Sequence, residues 1–241
     1  MIVGDWRDAR VVEVSEATSS ARVLRVQVPG WPGNDPGQHV DIRLTAEDGY
    51  QAVRSYSMGS SGASETIELA VDEIPEGEVS PYLVRDVLPG DELEVKGPLG
   101  GYFVWKPGGA DPVQLIAGGS GIVPLMAMAR ARVDAATGVP FRLLYSVRMA
   151  ENAIYRDELL SLGEAGGVDL TWAYTRSAPD GWAGRVGRLD GPAISAAVWP
   201  VDRMPIVYVC GPTGFVEHVA DTLVELGHGP RRIRTERFGG A

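Results

Sequence analysis

Between about residue 7 and residue 103, apolar and polar side chains alternate in short runs separated by Gly, Pro, Asp and Asn. This period of two is typical of strands with one buried face. The predicted strands are residues 11–17, 21–28, 38–45, 66–73 and 91–97. Their close spacing predicts an antiparallel β-barrel. One segment departs from the pattern, because residues 80–88 have helical apolar spacing after Ser80, a residue type that caps helices.

The second half of the chain alternates apolar strand-like runs with longer amphipathic runs. The strand-like runs are residues 112–119, 141–148, 168–176 and 205–211, and the helix-like runs are residues 122–136, 155–162, 194–199 and 215–227. This alternation predicts a parallel sheet with helices on its faces. The Pro- and Gly-rich residues 105–112 separate the two patterns. We therefore predict two domains, a β-barrel over residues 1–107 and an α/β domain over residues 108–241.

Composition restricts the chemistry. Hydrophobic residues make up 44% and charged residues 22% of the chain, and no segment approaches the roughly 20 apolar residues of a membrane span. The first residues lack the basic and apolar regions of a secretory signal, so we expect a cytoplasmic protein. A net charge of −10 disfavours nucleic acid as a partner. The single cysteine excludes an internal disulfide and four-cysteine metal sites, so no metal is predicted and redox chemistry requires an organic cofactor or a partner.

The Gly-rich segment at residues 118–121 leaves a predicted strand and begins a predicted helix. Glycines there allow a backbone to approach a ligand, and free N–H groups at a helix start attract phosphate. A Gly-rich turn without any ligand is the alternative interpretation. The segment is not the G-x-G-x-x-G pattern, which favours a specialised nucleotide site over a standard dinucleotide fold.

A second candidate site lies in the predicted barrel, in the sequence RSYS at residues 54–57. Strand alternation places Arg54 and Tyr56 on one face, and Ser55 and Ser57 on the other. Arginine offers a forked donor for phosphate, and tyrosine offers a flat face for a planar ring. The alternative interpretation, given equal weight, is that the tyrosine and the arginine have only a structural role, because a cross-strand tyrosine beside a surface arginine is common in β-proteins.

Five motifs occur in a fixed order: RSYS at 54–57, GEVSPYL at 77–83, GPLGGYF at 97–103, GGSGIVP at 118–124 and CGPTG at 210–214. In order and spacing they resemble the ferredoxin-NADP reductase family of flavoproteins over nearly the whole chain. The resemblance implies an FAD-binding β-barrel followed by a nucleotide-binding α/β domain, with the flavin and nicotinamide rings meeting where the domains adjoin.

On the flavin side, the resemblance implies that Arg54 holds the FAD pyrophosphate, that Tyr56 stacks on the isoalloxazine ring and that the Ser57 hydroxyl lies near flavin N5. Ser55 belongs to the same cofactor-binding motif. The residues implied to bind the pyrophosphate through backbone N–H groups and a hydroxyl are Gly77, Val79 and Ser80.

On the nicotinamide side, the resemblance implies pyrophosphate contacts from Gly118, Gly119, Ser120 and Gly121. Cys210 is placed near nicotinamide C4, with the turn beneath the ring shaped by Gly211 and Pro212. Near the end of the chain, Glu236 is implied to orient the nicotinamide and Phe238 to cover the flavin. A mobile tail anchored by Phe238 is the alternative for that end. The implied catalytic residues are Ser57, Cys210 and Glu236.

The choice between NADPH and NADH depends on a cationic site for the 2'-phosphate. Thr175, Arg176 and Arg185 match the phosphate-binding positions of NADP-using relatives, and Arg148 is a further candidate. NADPH is therefore favoured, with NADH as the alternative. Surface arginines that bind nothing are the simpler interpretation.

The resemblance implies an FAD-dependent NAD(P)H oxidoreductase that transfers hydride to FAD N5 and passes electrons to a separate acceptor, such as a ferredoxin, a haem or molybdenum protein or an oxygenase component. An acidic acceptor would need a local basic face, for which the candidates are Arg231, Arg232, Arg234 and Arg237. Solvated charges on a terminal strand are the alternative interpretation. Two alternatives stay open. One is a flavin reductase with flavin as diffusing substrate, and the other is a non-catalytic electron-transfer subunit.

Overall fold

The Pro- and Gly-rich segment at residues 105–112 is where the chain divides. In the computed structural model, which describes residues 5–239, one unit is Met1–Trp105 and the other is Lys106–Ala241. The division lies two residues before the boundary that the sequence predicts.

Six antiparallel strands build the first unit. They are β1 (Trp6–Thr18), β2 (Ala21–Gln27), β3 (His39–Thr45), β4 (Gln51–Ser57), β5 (Thr66–Asp72) and β6 (Glu92–Leu99). Their order in the sheet is β4-β3-β6-β1-β2-β5. The two edge strands also meet, because Met58, directly after β4, pairs with Leu69 of β5, and the N–H of Gly59 donates to the carbonyl of Glu68 at 2.8 Å. The predicted antiparallel barrel is confirmed.

Strand alternation fills the interior of this barrel. Val40 and Ile42 of β3, Ile67 and Leu69 of β5, and Leu24 of β2 are buried in one apolar cluster. In β3, for example, the buried side chains are two residues apart, as expected for a strand with one buried face. The polar positions between them face outward and are free to carry binding groups.

A short helix, α1 (Ser80–Arg85), interrupts the strands. It is shorter than predicted, because Pro89 disfavours helical backbone at Leu88 and the Asp91 carboxylate accepts the Leu88 N–H at 2.9 Å. The prediction that Ser80 caps the helix is wrong. The cap position is Val79, and the Ser80 hydroxyl instead accepts the backbone N–H of Ile74 at 3.0 Å.

The second unit is a parallel five-stranded sheet with helices. Its strands are β7 (Val113–Gly118), β8 (Phe141–Val147), β9 (Asp169–Tyr174), β10 (Ile206–Pro212) and β11 (Ile233–Phe238), and its helices are α2 (Ile122–Asp134), α3 (Arg156–Glu164), α4 (Gly191–Ala197) and α5 (Thr213–Glu225). The predicted parallel α/β domain is confirmed. Among the residues that the structure describes, no helix is long and apolar enough to cross a membrane.

The order of strands in this sheet is β11-β10-β7-β8-β9. From β7 the chain builds outward through β8 to β9, then crosses back to add β10 and β11 on the other side. The direction of winding therefore reverses between β7 and β10. In open α/β sheets the crevice at such a switch point is where ligands bind.

Candidate functional site

Strand β4 presents the RSYS residues at an edge of the barrel sheet. Arg54 and Tyr56 share the face of β4 that carries the buried Ala52. Tyr56 is half-buried and packs against the barrel core. Ser55 points to the other face, where its hydroxyl donates to the Asp41 carboxylate at 2.6 Å. The strand therefore places one guanidinium and one aromatic ring side by side.

Burial raises the pKa of the Tyr56 phenol to about 12, and the nearby positive charge of Arg54 offsets only part of that effect. The phenol is therefore neutral at any physiological pH. A neutral ring fixed against an apolar core is suited to stacking on a planar heterocycle.

Arg54 is tied to the loop before α1 by an acidic residue that sequence reasoning missed. Its guanidinium forms an ion pair with Glu78 and also donates to the Val53 carbonyl at 2.7 Å. The Glu78 carboxylate accepts a second hydrogen bond from the Tyr50 hydroxyl at 2.8 Å. The Tyr50 hydrogen bond and the charge of Arg54 lower the pKa of Glu78.

The loop before α1 is tightly folded. A Cβ atom on Gly77 would lie 3.0 Å from the Ile74 carbonyl oxygen and 3.1 Å from Ser80 Oγ. The Gly77 N–H donates to the Ile74 carbonyl at 2.8 Å, so the contribution of Gly77 is its missing side chain. Val79 is buried. The Ser80 hydroxyl accepts from Ile74 and keeps its own proton to donate.

This arrangement fits a cofactor with phosphates and a planar ring. Arg54 and the Ser80 hydroxyl are donors for an anion, Gly77 leaves backbone uncovered by a side chain, and Tyr56 offers its ring.

In the second unit, the switch point brings the GGSG and CGPTG segments into contact. A Cβ atom on Gly121 would lie 2.1 Å from the Cys210 carbonyl oxygen, so no side chain fits between the two segments. Gly119 has a φ of +55° and open space around it. Residues Gly119–Gly121 form a single 3-10 turn that leads directly into α2. The backbone of this turn is therefore available to a ligand.

Phe215, near the start of α5, explains two of the glycines and was not singled out in the sequence. Cβ atoms on Gly118 and Gly211 would lie 2.7 and 2.8 Å from its ring carbon Cδ1. The signal was the apolar residue that directly follows CGPTG. Gly118 and Gly211 are therefore required by the packing of this ring, whatever ligand the turn binds.

Cys210 is fully buried, between β7 and β11. It is aligned with Ala117 on one side and with Glu236 on the other. Burial, and secondly the negative charge of Glu236, raise the pKa of its thiol well above the ordinary value. Cys210 is a protonated, apolar residue, and the group beside it that carries charge is Glu236.

Near the end of the chain, strand β11 continues as far as Phe238. Glu236 and Phe238 align with Cys210 and Pro212 of β10. The Gly239 carbonyl accepts the Thr213 hydroxyl at 3.3 Å. Pairing with β10 therefore places both residues at the edge where the CGPTG segment lies. Gly240 and Ala241 lie outside the described residues.

The candidates for a 2'-phosphate site fall into two groups. Arg148 and Arg176 follow neighbouring strands, and the Arg176 N–H donates to the Arg148 carbonyl at 3.0 Å. Thr175 is joined to the same strand end. Within residues 5–239 neither guanidinium has an ion pair, so both are available to an anion. Arg185 differs, because it forms an ion pair with Asp190.

Two of the basic residues near the chain end, Arg232 and Arg234, have partners within the α/β unit. Arg232 forms an ion pair with Asp111 at 2.7 Å, before β11 begins, and Arg234 lies over the Tyr208 ring at 5.4 Å. At about 3.3 Å per residue, Arg232 is roughly 20 Å along the strand from Phe238. Among the described residues, no group of three or more His, Cys, Asp or Glu side chains is placed to hold a metal.

Comparison with known proteins assigns both units. Residues 8–104 match the model of the oxidoreductase FAD-binding domain, and residues 115–221 match that of the oxidoreductase NAD-binding domain. The predicted FAD and nicotinamide nucleotide cofactors are confirmed.

Relatives of known identity share most of this chain. A flavohemoprotein from Vibrio cholerae is 28% identical over 98% of this chain and 61% of its own length. The glycine betaine monooxygenase reductase subunit from Chromohalobacter salexigens is 31% identical over 85% of this chain and 56% of its own. The solved structure of the ferredoxin reductase in carbazole 1,9a-dioxygenase is 27% identical, with a TM-score of 0.83 over 99% of this chain and 70% of that one. The chain thus spans about three fifths of the two curated relatives.

The burial of Cys210 generates a prediction about its reactivity. The thiolate is the reactive form, and this thiol is both buried and high in pKa. At pH 8 we expect a disulfide reagent to label the folded protein on the order of 100-fold more slowly than the urea-unfolded protein. Because Cys210 is the single cysteine, the labelling reports on this site alone. Rapid stoichiometric labelling of the folded protein would contradict the assignment.

Proposed function

Because the chain belongs to the ferredoxin-NADP reductase family of flavoproteins, we propose that it is an NAD(P)H oxidoreductase that uses FAD and delivers electrons to a separate acceptor protein. The main support for this proposal is that the matched domains coincide with the two compact units of the structure. The matched FAD-binding and NAD-binding domains fall one in each compact unit, and each unit gathers its own motif residues at one place.

When bound, FAD supplies the redox chemistry, accepting a hydride from NAD(P)H and releasing its electrons singly. The residues of the barrel hold and orient it. Arg54 and the Ser80 hydroxyl bind the pyrophosphate, Gly77 allows close approach, and the neutral Tyr56 ring stacks on the isoalloxazine. Ser57, at the end of β4, would present its hydroxyl near flavin N5. Ser55, whose hydroxyl donates to Asp41, and the buried Val79 keep the neighbouring binding residues in position.

The α/β unit positions the nucleotide. Gly119 and Ser120 offer backbone N–H groups to its pyrophosphate at the start of α2. Gly121 lets this turn lie against the Cys210 carbonyl, and Gly118 and Gly211 leave room for the Phe215 ring. Glu236 orients the nicotinamide through its carboxylate, at the strand edge where Cys210 and Pro212 end β10. Phe238, which aligns with Pro212 of β10, would cover the flavin ring. Cys210 fills space beneath this site and takes no part in proton transfer.

NADPH is the preferred donor in this proposal. Arg148 and Arg176 lie on neighbouring strand ends, neither guanidinium is ion-paired in the described part of the chain, and Thr175 adds a hydroxyl. A 2'-phosphate is the group of NADPH that such a pair recognises. Arg185 contributes only after it leaves Asp190, which also caps α4 by accepting the Ala193 N–H at 3.0 Å.

The acceptor belongs to a class defined by the relatives. One is named a reductase subunit of a monooxygenase and another a ferredoxin reductase in a dioxygenase. We therefore propose an oxygenase component or a ferredoxin as the acceptor. Arg232 of the candidate basic face is held by Asp111, away from the nucleotide edge, so we do not propose it as part of the docking surface.

A second candidate is favoured by one contact. The ion pair between Arg54 and Glu78 places a carboxylate on the group that would hold FAD phosphate. Such competition weakens retention of FAD, which suits a reductase that uses flavin as a diffusing substrate. The two candidates differ in whether FAD remains bound through turnover.

The role of Tyr56 is tested by removing its ring. Tyr56→Ala is expected to weaken FAD binding by about tenfold, because the stacking surface is lost, whereas Tyr56→Phe keeps the ring and stays close to wild type. FAD content and the visible spectrum are measured after reconstitution, with circular dichroism to verify folding. Unchanged flavin content and spectrum in a folded Tyr56→Ala protein would contradict the assignment.

The nucleotide preference is tested at Arg176. Arg176→Ala is expected to weaken NADPH by about tenfold or more and NADH by less than about twofold, because only NADPH carries the 2'-phosphate. KM is measured for both donors with a dye as acceptor. Arg231→Ala, an exposed arginine at the other edge of the sheet, is the control and should affect neither. Equal weakening of both donors by Arg176→Ala would exclude a 2'-phosphate contact.

A further inference from the structure

Glu78 is the one acidic side chain in the described structure that forms an ion pair with a proposed FAD-phosphate ligand. It is the second residue of the GEVS segment, and the resemblance assigned it no role. Its carboxylate joins two elements, accepting from the Arg54 guanidinium on β4 and from the Tyr50 hydroxyl just before β4. The family motif explains the residues on both sides of Glu78 but not this carboxylate.

A carboxylate and a phosphate compete for the same guanidinium. Both present two oxygens in the plane that arginine recognises with its forked donors. With Glu78 in place, Arg54 has one NH group on the carboxylate and another on the Val53 carbonyl. An arriving pyrophosphate therefore exchanges one anion for another at Arg54.

The ion pair between Arg54 and Glu78 is exposed and can dissociate readily. The Arg54 and Glu78 side chains are 51% and 47% exposed, so water screens their attraction and the pair itself is weak. Glu78 and Tyr50 also line an open groove of about 560 Å³ with Tyr82 and Ala52. The carboxylate can leave Arg54 for this groove without displacing a packed side chain.

We propose that Glu78 is an internal counter-anion of Arg54 that the FAD pyrophosphate must displace, so that this chain binds FAD weakly and exchanges it. The inference rests on the proposed function, because it requires FAD to bind at Arg54. It adds that cofactor affinity is set by one exposed carboxylate within the motif. The ligand that competes is the phosphate portion of FAD, not its ring.

The test is to remove flavin from the 241-residue chain and then to measure FAD binding by fluorescence quenching or calorimetry. Glu78→Gln is expected to tighten FAD binding about three- to tenfold, since it removes the competing charge while keeping the shape. Tyr50→Phe, which removes the hydrogen bond that holds Glu78 on Arg54, should tighten binding in the same direction by a smaller factor. Glu76→Gln, an exposed carboxylate two residues away, is the matched control and should change binding less than about twofold.

Competition at Arg54 is separated from a general charge effect by a double variant. In an Arg54→Ala background, Glu78→Gln should change FAD binding less than about twofold, because no guanidinium remains to be released. Equal tightening in both backgrounds would overturn the proposal. Unchanged or weaker FAD binding by folded Glu78→Gln would overturn it as well.

The inference and the proposed function fail in different ways. If wild type binds FAD and Arg54→Ala weakens it, but Glu78→Gln has no effect, only the role of Glu78 is lost. If neither wild type nor any variant binds FAD, the proposed function is lost too.

Discussion

The second unit depends on the contact between Gly121 and the carbonyl of Cys210. The two segments come from strands that are neighbours in the sheet but about 90 residues apart in the chain, and a Cβ atom between them would lie at 2.1 Å. Winding of the sheet in both directions from β7 creates this meeting. It produces the crevice, sets the uncovered turn at Gly119 beside it, and places Glu236 of β11 next to β10.

The first unit solves a different problem, how to hold a charged cofactor on an acidic chain. Its barrel core fixes the Tyr56 ring from behind, so the ring needs no ligand to be positioned. Its cation, by contrast, is not left free. Arg54 forms an ion pair with Glu78, which in turn accepts a hydrogen bond from the Tyr50 hydroxyl. The Tyr56 ring is fixed by packing, whereas the Arg54 guanidinium can exchange Glu78 for a phosphate. The affinity for FAD therefore depends on the charged contact.

Patterns of local origin were predictable from the sequence. Alternation in residues 66–73 predicts β5, and the alternation of apolar and amphipathic runs predicts the parallel sheet, since each follows from which side chains are buried. Features made by distant segments were not. The pair of Arg54 with Glu78 and the ring of Phe215 beneath Gly118 and Gly211 depend on how separate elements approach, which no local spacing encodes. The prediction of a cap at Ser80 was wrong because its hydroxyl accepts the backbone N–H of Ile74 instead.

The most direct test of the account is reduction of bound flavin. The purified protein, loaded with FAD, is mixed with NADPH or NADH in the absence of oxygen, and the visible flavin absorbance is followed. We expect rapid bleaching, faster with NADPH than with NADH. A protein that holds FAD but whose absorbance neither nucleotide changes would contradict it and indicate a non-catalytic electron-transfer subunit.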